Sequence, residues 1–564
     1  MNRVEMQQLA ARDISARGIS ESAISLALPF IAPLITVAVV LVIAFFALDV
    51  PAQSFRSPDE NASFIFTKAL AENGSLAYES ELFAHDDENY LHARGVMTHD
   101  NEGVPFNFLG LPVLYAPAYK LLGDNLRYVA VPLALLTVIS LGLAGGLLVP
   151  ERKWIAWFAL LGATPIVFSL FRPFLNVLPS LAFMSLASYF LVRYFQAAGG
   201  DRKFLAIASF ALAMSAFMRY ELVILQSLLV LIVVFHKRGS VSRTSIRDLS
   251  TFGFMTIIFF VVPVGVLNWL TYGSPTEYGY SIFNDLYFPE RNGVGTGWMR
   301  SLEQLRSVLF PSYPVDLGLA TSSFFRQVLS VAPLYMLTAG FGAYLVLGSG
   351  RPGKRVVFAY AALAMYVFLY RGAGYSWLAD SATPSLEASI VRYTMPLYVG
   401  CFFLVVYSIA QIRRFDFALL VVGMLVVSGL LGVLRDTEGN LLHLRTQLHL
   451  YDEYTEREIL PNTEENALIF TDTYDKLIGT RREVATWWPG AVGVLDEHFE
   501  ADRIARSMAR VVDTRPVYIL TSEPRLVRNK LEPDLTSLGL SIHSTSVRNL
   551  MKIEPEYASV PQAR

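Results

Sequence analysis

The chain has 564 residues, of which 53% are hydrophobic and 17% charged, and its mean hydropathy of +0.42 lies far to the apolar side of soluble globular proteins. That composition excludes a single soluble domain. A net charge of −2 points to no nucleic-acid partner, and a single cysteine, Cys401, excludes a disulfide framework or a cysteine metal site.

Residues 1–29 mix Arg3, Arg12 and Arg17 with acids and small residues, and read as a cytoplasmic N-terminal segment. The apolar stretch 30–48 that follows, at about 19 residues, exceeds the hydrophobic region of a secretory signal and lacks a small-residue cleavage site, so it predicts an uncleaved transmembrane helix. Further runs near 126–149, 154–171, 175–195, 204–218, 220–235, 252–272, 328–347, 356–371, 389–410 and 417–434 bring the expected count to about eleven transmembrane helices. Short loops rich in Lys and Arg stay cytoplasmic. Counting 204–235 as two helices puts Arg152-Lys153, Arg202-Lys203, Lys237 to Arg247, Arg351 to Arg355 and Arg413-Arg414 all on the inside. The longer connections 49–125, 273–327 and 372–388 then lie outside, with the tail from 436.

The first outer loop, 49–125, opens on RSPDENASFIF (56–66). Ser57, Pro58 and Glu60 form a helix-start signature, with a serine N-cap, proline at the first helical position and glutamate three residues after the cap. With Gly74 as a stop signal, the pattern predicts an amphipathic helix over 58–73 lying on the outer membrane surface. Capping accounts for Ser57, Pro58 and Glu60 but less for Asp59, since first-turn acids contribute only about 0.3–1 kcal/mol and many residues would serve. Asp59 is therefore the residue left for chemistry. Further along, His85, Asp86, Asp87 and Glu88 form an acidic cluster that is either a solvated loop or a divalent-cation site. Prolines and aromatics over 104–119 predict an irregular segment re-entering the interface. Asn61-Ala62-Ser63 and Asn73-Gly74-Ser75 match glycosylation sequons.

Arginines occur at outer helix ends, where the charge bias of the loops does not put them. They are Arg172, Arg219 beside Glu221, and Arg392 beside Tyr393. A membrane-edge arginine normally holds an anion, and a guanidinium suits the phosphate of a lipid headgroup. The tail, 436–564, has short apolar runs at 467–470, 517–520 and 550–553 and a helical pattern over 497–513, which predicts a small extracytoplasmic α/β domain. Trp487-Trp488-Pro489-Gly490 reads as a packed turn.

An Asp-Glu pair in the first outer loop, Asn268 to Pro275 running into Tyr278-Gly279-Tyr280, and Ile390 to Pro396 opening a late helix together resemble the GT-C glycosyltransferases. The narrower resemblance is to their protein-mannosyltransferase and aminoarabinose-transferase branch, and it covers residues 30–434. It implies a multi-pass GT-C-like enzyme of region 30–435 that moves a sugar, with inversion, from a polyprenyl-phosphate donor to a glycan, lipid or protein acceptor outside the cytoplasm. By position Asp59 matches the catalytic acid of the family, acting as general base, and Glu60 the residue after it. Arg392, Tyr393, Arg219 and Tyr280 are the candidates for the donor phosphate and lipid. The one cofactor expected is a candidate divalent cation. The rival reading is a multi-pass transporter or flippase of a lipid-linked or small polar substrate. It is opposed by the absence of duplicated interrupted helices and by acids that cluster in one outer loop. A third is a membrane-anchored assembly protein whose tail binds a partner.

Overall fold

The computed structural model describes residues 3–52, 55–80, 82–83, 91–106, 109–197, 201–220, 222–238, 243–279, 282, 317–348, 361–365, 389–437, 439–472, 474–486 and 501–556. In chain order the first half holds α1 (Arg3–Leu48), α2 (Pro58–Asn73), β1 (Tyr78–Glu79), β2 (Val96–His99), β3 (Glu102–Pro105), α3 (Gly110–Leu122), α4 (Ala130–Leu148), α5 (Trp154–Gly162), α6 (Thr164–Ser169), α7 (Val177–Gln196), α8 (Arg202–Met218), α9 (Leu222–Arg238), α10 (Arg243–Thr256) and α11 (Val262–Tyr272). The second half holds α12 (Leu317–Ser323), α13 (Pro333–Gly348), α14 (Ser389–Tyr393), α15 (Met395–Ala410), α16 (Phe415–Leu434) and α17 (Leu441–Tyr454). The tail then adds β4 (Leu468–Thr471), α18 (Asp475–Ile478), β5 (Glu483–Thr486), α19 (Ala501–Val511), β6 (Val517–Leu520), α20 (Pro524–Ser537), β7 (Leu540–Ser544) and β8 (Leu550–Pro555).

Among the described residues, five helical stretches are long and apolar enough to cross a membrane by length and composition: 26–48, 110–148, 177–196, 244–272 and 415–434. A sixth results if Thr321–Leu329 and Pro333–Gly348, bent by 114°, count as one span. The expected runs 154–171, 204–218, 220–235 and 389–410 form helices shorter than the ~20 residues a full crossing takes, and of 356–371 only 361–365 are described. The run 154–171 is cut at Ala163, next to Pro165, and 204–235 is cut where Arg219 adopts an extended backbone (φ −145°, ψ 95°). Leu26, Leu34 and Val42 of α1 stay exposed at about the level of free side chains (72%, 72% and 70%), as lipid-facing residues do.

Tight helix contacts depend on glycine. A Cβ on Gly429 would lie 2.1 Å from the Leu161 carbonyl oxygen, and one on Gly342 would lie 2.3 Å from that of Leu404. At these two crossings the backbones meet directly, as small residues permit in membranes. Residues 110–122, expected to be irregular, are helical instead. Pro112 falls in the first turn, where no N–H is required, and the Tyr115 hydroxyl donates to the Pro173 carbonyl at 2.7 Å, tying the helix to the α6–α7 connection.

The tail builds a five-stranded sheet of order β5-β4-β6-β8-β7, with β4 parallel to β5 and β6 and β8 antiparallel to its neighbours. Its central strands, LIFT and VYIL, are buried throughout. One face of this sheet shares a core with the first outer loop: Ala62, Phe66 and Met97 pack with Ile469, Leu477 and Tyr518. Arg94 of the loop and Asp475 of the tail, wholly buried, form an ion pair at 2.5 Å. Helix α2 therefore lies enclosed between tail and membrane region, where a surface helix was expected. The physical reason is that both of its faces are apolar. Phe64 packs against Phe55 and edge to face with Phe174, at 5.3 and 5.5 Å, while Phe66 on the opposite side meets Tyr78 at 5.9 Å. Asn61 is fully buried, which removes the first sequon, and Asn73 is exposed.

Candidate active site

The start of α2 is fixed by its own sequence. The Ser57 hydroxyl accepts from the Glu60 N–H at 3.3 Å, the Glu60 carboxylate accepts from the Ser57 N–H at 3.1 Å, and Gly74 closes the other end at φ 74°. This reciprocal box satisfies N–H groups that a helix terminus leaves open. It also forces the side chains of Asp59 and Glu60, one residue apart, in different directions.

Glu60 turns inward. Its Oε1 and Oε2 accept from Nε and Nη2 of Arg172, both at 2.9 Å, and each side chain is only 6% exposed. The Arg56 N–H adds a further bond at 3.1 Å. Burial alone would raise the pKa of Glu60, but the Arg172 charge and hydrogen bonds, with the two backbone N–H groups, outweigh it and hold the carboxyl below its ordinary range. Expected beside Asp59 in the reaction, Glu60 is instead occupied as the anchor of the helix start.

Asp59 turns the other way. Its Oδ2 lies 3.2 Å from Nη1 of Arg392 in α14, with Asp59 43% and Arg392 22% exposed. Arg219, at the α8–α9 break and 7% exposed, donates from Nη1 to the Arg392 carbonyl at 3.0 Å and sits over the Tyr393 ring at 5.0 Å. Three of the four candidates for the donor phosphate thus lie together, with Arg392 in contact with Asp59 and Arg219 holding the backbone and ring of α14. The fourth, Tyr280, lies outside the described residues, as do His85, Asp86, Asp87, Glu88 and the Trp487-Trp488 turn. Among the described residues no three His, Cys, Asp or Glu side chains gather into a cation site.

The partner of Glu60 was missed in the sequence. Arg172 was visible as a membrane-edge arginine in need of an anion, but nothing in the local pattern joins it to a glutamate 112 positions away. The return of α17 was missed as well. Arg445 pairs with Asp49 at 2.5 Å, His449 contacts the Asp49 carbonyl at 3.0 Å, and Gln447 bonds Arg56, so the first helix after the membrane region braces the chain leading into α2.

No protein-family model and no curated protein matches the sequence. Solved structures do. The archaeal oligosaccharyltransferase AglB from Archaeoglobus fulgidus, in complex with an inhibitory peptide and a dolichol-phosphate, matches with a TM-score of 0.50 and 12% identity over 96% of this chain and 75% of that one. The apo form of an Archaeoglobus fulgidus oligosaccharyltransferase matches with a TM-score of 0.51 and 13% identity over the same shares. The chain shares the fold of these oligosaccharyltransferases. ArnT from Cupriavidus metallidurans bound to undecaprenyl phosphate is 14% identical over 93% of this chain and 98% of that one, with a TM-score of 0.40. Within this fold an accessible carboxylate and a guanidinium, contributed by elements far apart in the chain, meet beside the buried pair that holds the start of α2.

Proposed function

We propose that the protein is a membrane glycosyltransferase that moves a sugar from a polyprenyl-phosphate donor to an acceptor hydroxyl or other nucleophile on the extracytoplasmic side, with inversion and with Asp59 as general base. The observation that carries this reading is the 3.2 Å contact between Asp59 and Arg392, two residues 333 positions apart that meet at a partly open site. In the reaction the acceptor oxygen attacks the anomeric carbon and its proton passes to the Asp59 carboxylate. The bond between the anomeric carbon and the phosphate oxygen breaks, and its electron pair leaves with the lipid phosphate, whose charge Arg392 stabilises. Glu60, Arg172 and Arg219 act as scaffold for these two groups. The oligosaccharyltransferase of the same fold, solved with a dolichol-phosphate and an inhibitory peptide, supports a lipid-phosphate donor.

The topology that goes with this function is eleven membrane helices with the N-terminus cytoplasmic and residues 436–564 outside. It rests on the placement of short basic loops on one side. The test of the reaction is to incubate purified full-length protein with labelled polyprenyl-phosphate sugars and glycan, lipid and peptide acceptors. Transfer by the wild type and its loss in a folded Asp59→Asn variant are expected. Undiminished transfer by that variant would remove Asp59 from the base role, and absence of transfer together with substrate counterflow in vesicles would favour a transporter.

A further inference from the structure

A cavity of about 340 Å³ opens between the first outer loop and the edge strand of the tail sheet, away from the Asp59–Arg392 contact. Its volume falls in the roughly 300–1,000 Å³ range of small-ligand sites. We infer that this cavity binds a neutral oligosaccharide segment of the acceptor, an inference that rests on the glycosyltransferase reading above.

Three observations select this chemistry. The lining carries two arginines, Arg481 and Arg482, and two glutamates, Glu465 and Glu483, and outside partners neutralise Arg481 (Asp452, Glu456) and Glu483 (Arg515), so little net charge faces the cavity. A phosphate or polycation finds no net field there, whereas hydroxyl groups, each both donor and acceptor, pair with guanidinium and carboxylate alike. Arg482, which lines the cavity, donates from its Nη atoms to the Arg481, Leu460 and Thr463 carbonyls, and its buried Nε–H makes no hydrogen bond among the described residues. One wall is aromatic. Tyr78 and Phe83 meet edge to face at 5.2 Å, and a Cβ on Gly103 would lie 2.7 Å from both rings, so the glycine is what lets this wall close on β3. Apolar C–H faces of a sugar ring pack on such a surface while its hydroxyls reach the charged groups.

An extended peptide is the competing class, and its usual mode is addition to a sheet edge. At β5 the outer loop already occupies that edge: the Thr486 N–H donates to the His92 carbonyl at 2.9 Å, and the Ser80 hydroxyl bonds the Glu483 carboxylate. Helix α2 joins the cavity to the reaction centre. Ile65 of α2 lines it, six residues from Asp59, which is ~9 Å along the helix axis. A glycan chain seated in the cavity can therefore extend toward the general base.

The test measures binding of maltotriose, mannotriose, chitotriose and a serine-rich pentapeptide to full-length protein in detergent, by saturation-transfer NMR and calorimetry. At least one trisaccharide is expected to bind in preference to the peptide. Thr480→Trp, which fills the cavity from an accessible turn, should weaken it at least tenfold. Glu483→Gln, on the rim, should weaken it about threefold, and Asp59→Asn should leave it within twofold. Preference for the peptide, no trisaccharide binding, or binding untouched by both cavity variants overturns the inference. The two readings fail separately: trisaccharide binding without transfer from any polyprenyl-phosphate sugar sinks the enzyme, and transfer without trisaccharide binding sinks the cavity.

Discussion

Asp59 and Glu60 are neighbours on one helical turn, and each meets an arginine, yet the two pairs occupy different environments. Glu60–Arg172 is bidentate and sealed, with both side chains 6% exposed, whereas in the Asp59–Arg392 pair the carboxylate is 43% exposed. A sealed pair cannot exchange its partner for a substrate without leaving a buried charge, and an open one can. Two carboxylate–arginine pairs on one helical turn are thereby divided by burial into one that holds the helix start and one that is open to solvent.

Removing one partner of the sealed pair should have the largest effect. Arg172→Ala leaves the Glu60 carboxylate buried without its counter-charge, and breaking such a pair costs about 3–5 kcal/mol. Thermal and denaturant unfolding in detergent should show that loss, and a variant as stable as wild type would contradict the sealed pair. Acid gives the same comparison by another route. Because the folded pKa of Glu60 lies below its ordinary value of 4.5, the stability it contributes is fully present above that value and is lost as pH falls through the folded pKa. Wild type should show this acid destabilisation and Arg172→Ala should show less of it.

At the open pair the balance reverses. An exposed ion pair contributes at most about 1 kcal/mol, so Asp59→Asn should leave the unfolding midpoint nearly unchanged. Loss of a general base should lower the transfer rate about 10²–10⁴-fold. Arg392→Lys keeps the charge but not the planar fork of donors, and a smaller loss, on the order of tenfold and concentrated in donor KM, should follow. Variants at residues 172 and 59 that moved stability and rate together would erase the distinction.

How much of this was legible in the sequence follows from the range of each signal. The capping box at Ser57–Glu60 is local, so the start, the stop and the inward pull on Glu60 could be read from a few residues. The placing of Asp59 and Arg392 on one side followed from charge bias in short loops, and the two side chains meet. The Glu60–Arg172 pair and the packing of α17 against Asp49 and Arg56 depend on contacts across hundreds of residues, for which a single sequence carries no pattern. The surface-helix expectation for α2 failed for a related reason: periodicity reports one apolar face well, but Phe64 and Phe66 point to opposite sides and each finds a different core. The enclosing tail, expected as a separate unit, supplies one of those cores.

The smallest effect tests whether the helix start matters apart from its charges. Ser57→Ala removes the acceptor for the Glu60 N–H, a change that typically costs about 0.5–2 kcal/mol. The other half of the box uses the backbone N–H of Ser57 and survives in alanine, so a loss near the lower end is expected, with Ser57→Thr restoring most of it. The turn carrying Asp59 should loosen against Arg392, and the transfer rate should fall by less than tenfold with donor KM little changed. Were Ser57→Ala as damaging to rate as Asp59→Asn, the aspartate would matter through the geometry of the turn and not through its proton. If Ser57→Ala left both stability and rate untouched, the sealed Glu60–Arg172 pair alone would suffice to hold the open one in place.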